Sequence, residues 1–236
     1  MKHVCIFFLL LPLAIIAASA DTGVKTSERF SVLGLAFNSE VQSGQSNVRG
    51  VNVSLLFEER ESVRGVAVGL GASDIDGDMT GVQFAIFGCS NEKLNGVQLA
   101  GLYAYNYTFD GVAVAGLFNT AGYDGTSRGI QIAGVLNIDG LAFSGSPDPL
   151  IKGGQIALLG NGACRIQGVQ VALGINGADA CSGLQIALLN YATTLRGLQI
   201  GLVNLAEEGS GLQIGLYNSF GQTDKQRTLP LVNWRF

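Results

Sequence analysis

The residues of this chain that could do chemistry are few, and their spacing narrows them further. A nucleophile activated by a neighbouring base generally needs a histidine, and the one histidine of the 236 residues is His3, at the very start. Zinc held by Cys and His fails on the same count. The carboxylates Asp74, Asp76 and Asp78 have the alternation that opens a calcium loop. Met79 stands where that loop needs glycine, however, and Ala85 where it needs a bidentate glutamate, so a solvated turn is the simpler reading. Glu58, Glu59 and Glu61 lie among Arg60 and Arg64 and read as a solvated charged connector. The glycine-rich phrases lack the Gly-Lys-Ser/Thr of a phosphate loop. Asn52-Val53-Ser54 and Asn106-Tyr107-Thr108 match the glycan-acceptor triplet, a signal short enough to arise by chance. The expectation is a chain that is not an enzyme, with no cofactor, no metal and no identifiable small-molecule substrate.

The N-terminus bears on compartment. Lys2 and His3 precede an apolar run from Val4 to Ile16, and Ala18-Ser19-Ala20 supplies the small residues of a cleavage site. This pattern predicts a signal peptide over 1–20 and export, and the remaining 21–236, with no linker-like stretch, reads as a single domain. The run is too short for a retained spanning helix, and Cys5 lies ahead of the apolar core rather than at the cleavage point. Loss of Lys2 takes the net charge from −4 to about −5, and the basic residues are scattered, so no nucleic-acid partner is expected. Three cysteines follow the leader. Cys164 and Cys181 each lie in the connector after a repeat phrase, one module apart, and form the candidate disulfide of an oxidising compartment. Two isolated buried thiols are the alternative, and Cys89 is left over in either case.

An internal repeat must position everything else. The phrase Gly-Leu-Gln-Ile-Gly-Leu-x-Asn is clearest at Gly183, Gly197 and Gly211 and can be followed back through Gly168, Gly153, Gly129, Gly111, Gly96, Gly81 and Gly65 to Gly50. The steps run from 14 to 18 residues, with one of 24, so the repeats span 50–218. Within the copy at Gly197, Leu198, Ile200 and Leu202 point one way and Gln199, Gly201 and Val203 the other, the period-two signature of a strand. Valines at Val51, Val66, Val112 and Val169 strengthen that assignment. Connectors such as Asp76-Gly77-Asp78, Asn91-Glu92-Lys93 and Glu207-Glu208-Gly209-Ser210 carry turn chemistry. The fold class is all-β, with about 11–13 short strands.

Two architectures fit this pattern. In a parallel β-solenoid identical positions stack, so Gln155, Gln170, Gln185, Gln199 and Gln213 form one ladder and Asn190, Asn204 and Asn218 another. The aliphatic face, Ile200 included, then packs a narrow core while Gln199 meets water. In a closed antiparallel β-barrel the Gln-and-small face lines the interior and Leu and Ile face an apolar medium. Restriction of both faces favours the barrel. A closing strand over 229–236, with Val232, Trp234 and Phe236 alternating on one face, adds weight, because a terminal aromatic suits a barrel assembly signal. Trp234 and Phe236 are the candidate assembly residues.

The phrases at 183–190, 197–204 and 211–218, with the terminal Leu-Pro-Leu-Val-Asn-Trp-Arg-Phe, resemble the short-repeat surface proteins of bacterial envelopes. That resemblance implies export and a surface or outer-membrane setting, and it carries over no catalytic residue. The resulting expectation is a non-enzymatic structural repeat protein partnered by outer-membrane lipid. The alternative is a secreted solenoid module for binding or adhesion, holding a surface protein or glycan.

Overall fold

The computed structural model describes residues 31–32, 35–38, 47–54, 57–121, 125–140, 149–221 and 226–235. The expected signal peptide and Phe236 lie outside the described residues. Seventeen strands from Ser31–Val32 to Arg227–Arg235 join in one sheet, with no helix among the described residues. Pairing is parallel from Leu35–Asn38 through Val203–Phe220, and like stacks on like: Gly168, Gly183, Gly197 and Gly211 are successive partners, as are Gln170, Gln185, Gln199 and Gln213. The chain is therefore a parallel β-solenoid, and the closed antiparallel barrel does not form. A barrel needs the chain to reverse between strands, whereas here each coil bends and continues in the same sense.

The bends explain why the strands are longer than the phrase. Gly88–Ala100, Tyr103–Ala115, Ile175–Ile186 and Leu189–Ile200 each run through a connector and into the next phrase. The connectors expected as turns, at Asp76-Gly77-Asp78, Asn91-Glu92-Lys93 and Glu207 to Ser210, are thus strand. Breaks fall after the phrase's central apolar residues, as at Gly101-Leu102, Ala187-Leu188 and Gly201-Leu202. The lead glycine makes the other corner within the strand. From Gly50 to Gly197 these glycines hold φ between +122° and +147°, a region that excludes side chains. In the last coil the corner moves to Gly209, at φ +110°.

The corner is also crowded along the axis. A Cβ on Gly197 would run into the carbonyl oxygen of Gly183, and one on Gly183 into that of Gly168. Gly177 has ordinary backbone angles and open space around its missing side chain.

Face assignment reverses the expectation for a solenoid. The interior receives the glutamines, the asparagines and small residues such as Ala172, Ala178 and Ala192, all buried, while Leu173, Leu188 and Leu216 are 66%, 56% and 66% exposed on the outside. Large apolar residues do enter the core, but from the connectors. Val63, Met79, Leu94 and Phe109 stack in one inner column, continued beyond Ser127 by Ile151, Ile166, Cys181 and Leu195. The faces therefore follow the barrel pattern, polar and small inside with aliphatics outside, on a solenoid backbone.

Arg227–Arg235 closes the C-terminal end as an antiparallel strand on Val203–Phe220. Asn233 continues the glutamine column, donating to Gln213 Oε1 at 3.4 Å and to the Arg227 carbonyl at 3.0 Å. Pro230 removes one donor from this last edge and so hinders further strand addition.

These placements yield two expected outcomes. Gly197→Ala should lower stability by roughly 2 kcal/mol or more, through backbone strain and the collision with Gly183, whereas Gly177→Ala should be neutral or stabilise by up to about 1 kcal/mol. Equal denaturation midpoints for the two variants would rule out the corner role. Likewise Gln199→Arg, which buries an unpaired charge, should destabilise by about 3 kcal/mol or more. Ile200→Arg, directed outward, should stay within about 1 kcal/mol of the parent, and the opposite ranking in urea melts would refute the face assignment.

Candidate functional site

The interior is occupied by its own amides. Gln155 Nε2 donates to Gln131 Oε1 at 3.2 Å, and Gln170, Gln185, Gln199 and Gln213 each donate to the preceding glutamine at 2.8 Å. The asparagines chain the other way. Asn119 Nδ2 donates to Asn137 Oδ1 at 3.0 Å, and the relay passes through Asn161, Asn176, Asn190 and Asn204 to Asn218. Each asparagine also donates to a carbonyl near the bend of the next coil, for instance Asn190 to Ile200 at 2.8 Å and Asn204 to Ile214 at 2.9 Å. Those carbonyls fix the amide orientation, because only Nδ2 can donate to them. Asn52 and Asn106, the first residues of the glycan-like triplets, point inward and are buried.

One charge-bearing group lies beside the glutamine ladder. Asp139 stacks in the column of Ala121, is buried, and takes hydrogen bonds from the Ala121 N–H at 2.6 Å, Gln131 Nε2 at 3.0 Å and Gln155 Nε2 at 2.6 Å. Burial pushes its carboxyl up to about 7, outweighing the three donors, which act in the opposite direction. Nothing in the sequence marked Asp139, because its neighbours matter only once coils stack.

The candidate residues from the sequence are dispersed. No disulfide joins Cys164 and Cys181 in this structure: Cys181 stacks between Ile166 and Leu195, while Cys164 donates to the Gly140 carbonyl at 3.1 Å. Burial raises the Cys181 thiol, like that of Cys89, to about 12, which makes both unreactive. Trp234 lies on the outer surface opposite Leu212, with the Arg227 guanidinium 4.9 Å from its ring centre. It belongs to a capping strand and closes no barrel. Asp74, Asp76 and Asp78 lie on the outward face of Ala72–Ala85, a strand paired on both sides, and partial burial raises the Asp74 carboxyl despite a hydrogen bond from Ser90. Among the described residues no three His, Cys, Asp or Glu side chains gather as a metal site.

No protein family, curated protein or solved structure matches the chain. What remains distinctive is the outside. The second, fourth and sixth positions of the phrases face outward and stack as aliphatic columns, including Ile130, Ile132, Ile156, Leu158, Leu173, Leu188, Leu202 and Ile214. Eleven coils at about 4.8 Å make this face about 50 Å long, and its width of five residues gives roughly 800 Å². A typical monomer's largest apolar patch is about 300–600 Å². Where Gly154 stands in the column of Ile130 and Val169, the face has a dent of about 370 Å³.

The outward residue just before each lead glycine forms a column beside this face. It runs Arg49, Arg64, Thr80, Asn95, Asp110, Arg128, Lys152, Gln167, Ser182, Arg196 and Ser210. Five cations thus share a column with one carboxylate, although along the sequence they look scattered.

Asp139 gives a pH test. In the unfolded chain its proton leaves near 3.8, whereas the folded chain holds it to about 7. Stability should therefore fall as pH rises through that window. Asp139→Asn keeps an acceptor for the Ala121 N–H and removes the titration, so the decline between pH 4 and 7 should shrink. Identical pH slopes in thermal melts of parent and variant would exclude this assignment.

Proposed function

We propose that this protein is a non-enzymatic envelope module, exported and working in binding or adhesion through the outer face of a rigid solenoid. The observation that carries this reading is the position of the aliphatic columns. Folding normally places such side chains in the core, and here the core is filled by Gln, Asn, Ala and the connector column. Leu158, Leu173, Leu188 and Leu202 are therefore left in water along a continuous face, where association recovers hydrophobic free energy. Resemblance of the phrases to bacterial surface repeats, and the leader pattern over 1–20, support export. The outer-membrane barrel form of the reading is set aside with the barrel itself.

The test separates face from fold. Leu158→Asn, Leu173→Asn and Leu188→Asn, combined, change three adjacent coils on the outer face only. Expressed in a bacterial host, the parent protein should be processed after Ala20 and recovered with the envelope fraction. The triple variant should be processed equally, keep its β-sheet circular dichroism, and be released in soluble form. Retention of the variant in the envelope, or an unprocessed cytoplasmic parent, would overturn the proposal.

A further inference from the structure

We infer that the partner of the apolar face is a bilayer surface containing anionic lipid, a step that rests on the reading of that face as the binding surface. Cross-sectional charge carries the inference. Arg49, Arg64, Arg128, Lys152 and Arg196 stand immediately across the glycine corner from the aliphatic columns, all exposed. Two pairs of these cations are direct register partners, Arg49 with Arg64 and Arg128 with Lys152. Like charges directly opposite on neighbouring strands repel, so both pairs gain when anions lie between and beside them. The one carboxylate of the column, Asp110, is 3.9 Å from Arg128 with both side chains well exposed, a contact that contributes little.

A second copy of the chain matches this charge poorly. Pairing two faces about an axis across the rod sets the cationic columns over each other. Pairing about an axis along the rod sets each column over the far edge of the other copy's face. That edge carries Phe87, Leu102, Leu117, Val135, Leu159 and Val203, none of which is an acid. Carboxylates such as Asp76, Asp78, Glu92 and Glu207 lie instead on the connector side, away from the aliphatic columns.

A membrane interface offers both matches at once, apolar acyl chains beneath a layer of phosphate charge. Trp234 extends the face beyond Leu212, with an amphipathic ring of the kind that settles at headgroup level. The solenoid would lie along the surface, aliphatic columns down and the cations among the headgroups.

The experiment uses the purified protein and vesicle flotation at two compositions, phosphatidylcholine alone and phosphatidylcholine with phosphatidylglycerol. The charge variant combines Arg128→Gln, Lys152→Gln and Arg196→Gln, and the face variant is the triple asparagine protein. Circular dichroism and urea melts check that both remain folded. The expected result is flotation with the anionic vesicles, reduced on the order of 100-fold in apparent affinity in the charge variant and abolished in the face variant. Equal binding to both compositions, or no effect of the charge variant, overturns the role of anionic lipid. If no vesicle is bound and the parent forms a dimer that the face variant loses, the occupant is a second copy and only the lipid inference fails. If the parent binds no vesicle and parent and face variant are both monomers recovered in the same cell fraction, the binding-face reading fails with it.

Discussion

The structure depends on amides that only their own repeats can satisfy. A buried primary amide without partners costs about 1–3 kcal/mol, and water has little access to a core where Gln170, Gln185, Gln199, Asn176, Asn190 and Asn204 are fully buried. Each amide finds its partner one coil away, at 2.7–3.1 Å in this stretch. The requirement is met only when coils are parallel and in register. A slip of one residue would place Leu and Ile inside and turn every amide out. Hydrogen bonding here contributes specificity more than net stability, because a mispaired coil loses both acceptors and donors.

The glycine corner serves the same constraint. It brings successive backbones close enough for short amides to touch, and it does so by removing the side chain where the coils approach, as at Gly183 and Gly197. Where an amide is replaced, as by Ala67 and Ala113 in the glutamine column, the ladder stops and restarts. Asn52, against Ala67, then has atoms without partners, and so does the oxygen of Asn119, the first of its column after Ala104. The interior thus tolerates interruptions but concentrates them in the N-terminal half, where the phrase also departs furthest from its consensus.

Much of this is legible in the sequence. Alternation in Gly-Leu-Gln-Ile identified strands, and equal spacing of Gln155, Gln170 and Gln185 identified a ladder if the coils were parallel. The orientation of the two faces was harder to read. An aliphatic row is ordinarily the buried one, and the solenoid alternative placed Ile200 inside on that ground. The signal that corrects it lies in the connectors: Val63, Met79, Leu94, Phe109, Ile151, Ile166 and Leu195 each stand two residues before a lead glycine. With that column and the amides inside, a coil of about fifteen residues has no room for the aliphatic row. The cationic column was illegible for a different reason. Arg128 and Lys152 are 24 residues apart in the chain and become neighbours only through the register.

The two ladders run in opposite senses. From Gln155 to Gln213 each glutamine of the ladder donates toward the preceding coil, and from Asn119 to Asn204 each asparagine of the other ladder donates toward the next, so their aligned dipoles oppose one another along the axis. A rod held by a single ladder would accumulate polarity with each added coil, as a helix does along its length. With the pair opposed, an extra coil adds length without building charge at either tip. Duplication or loss of one unit then perturbs only its two neighbours, and a gene encoding this protein can change the number of its repeats without redesigning the ends.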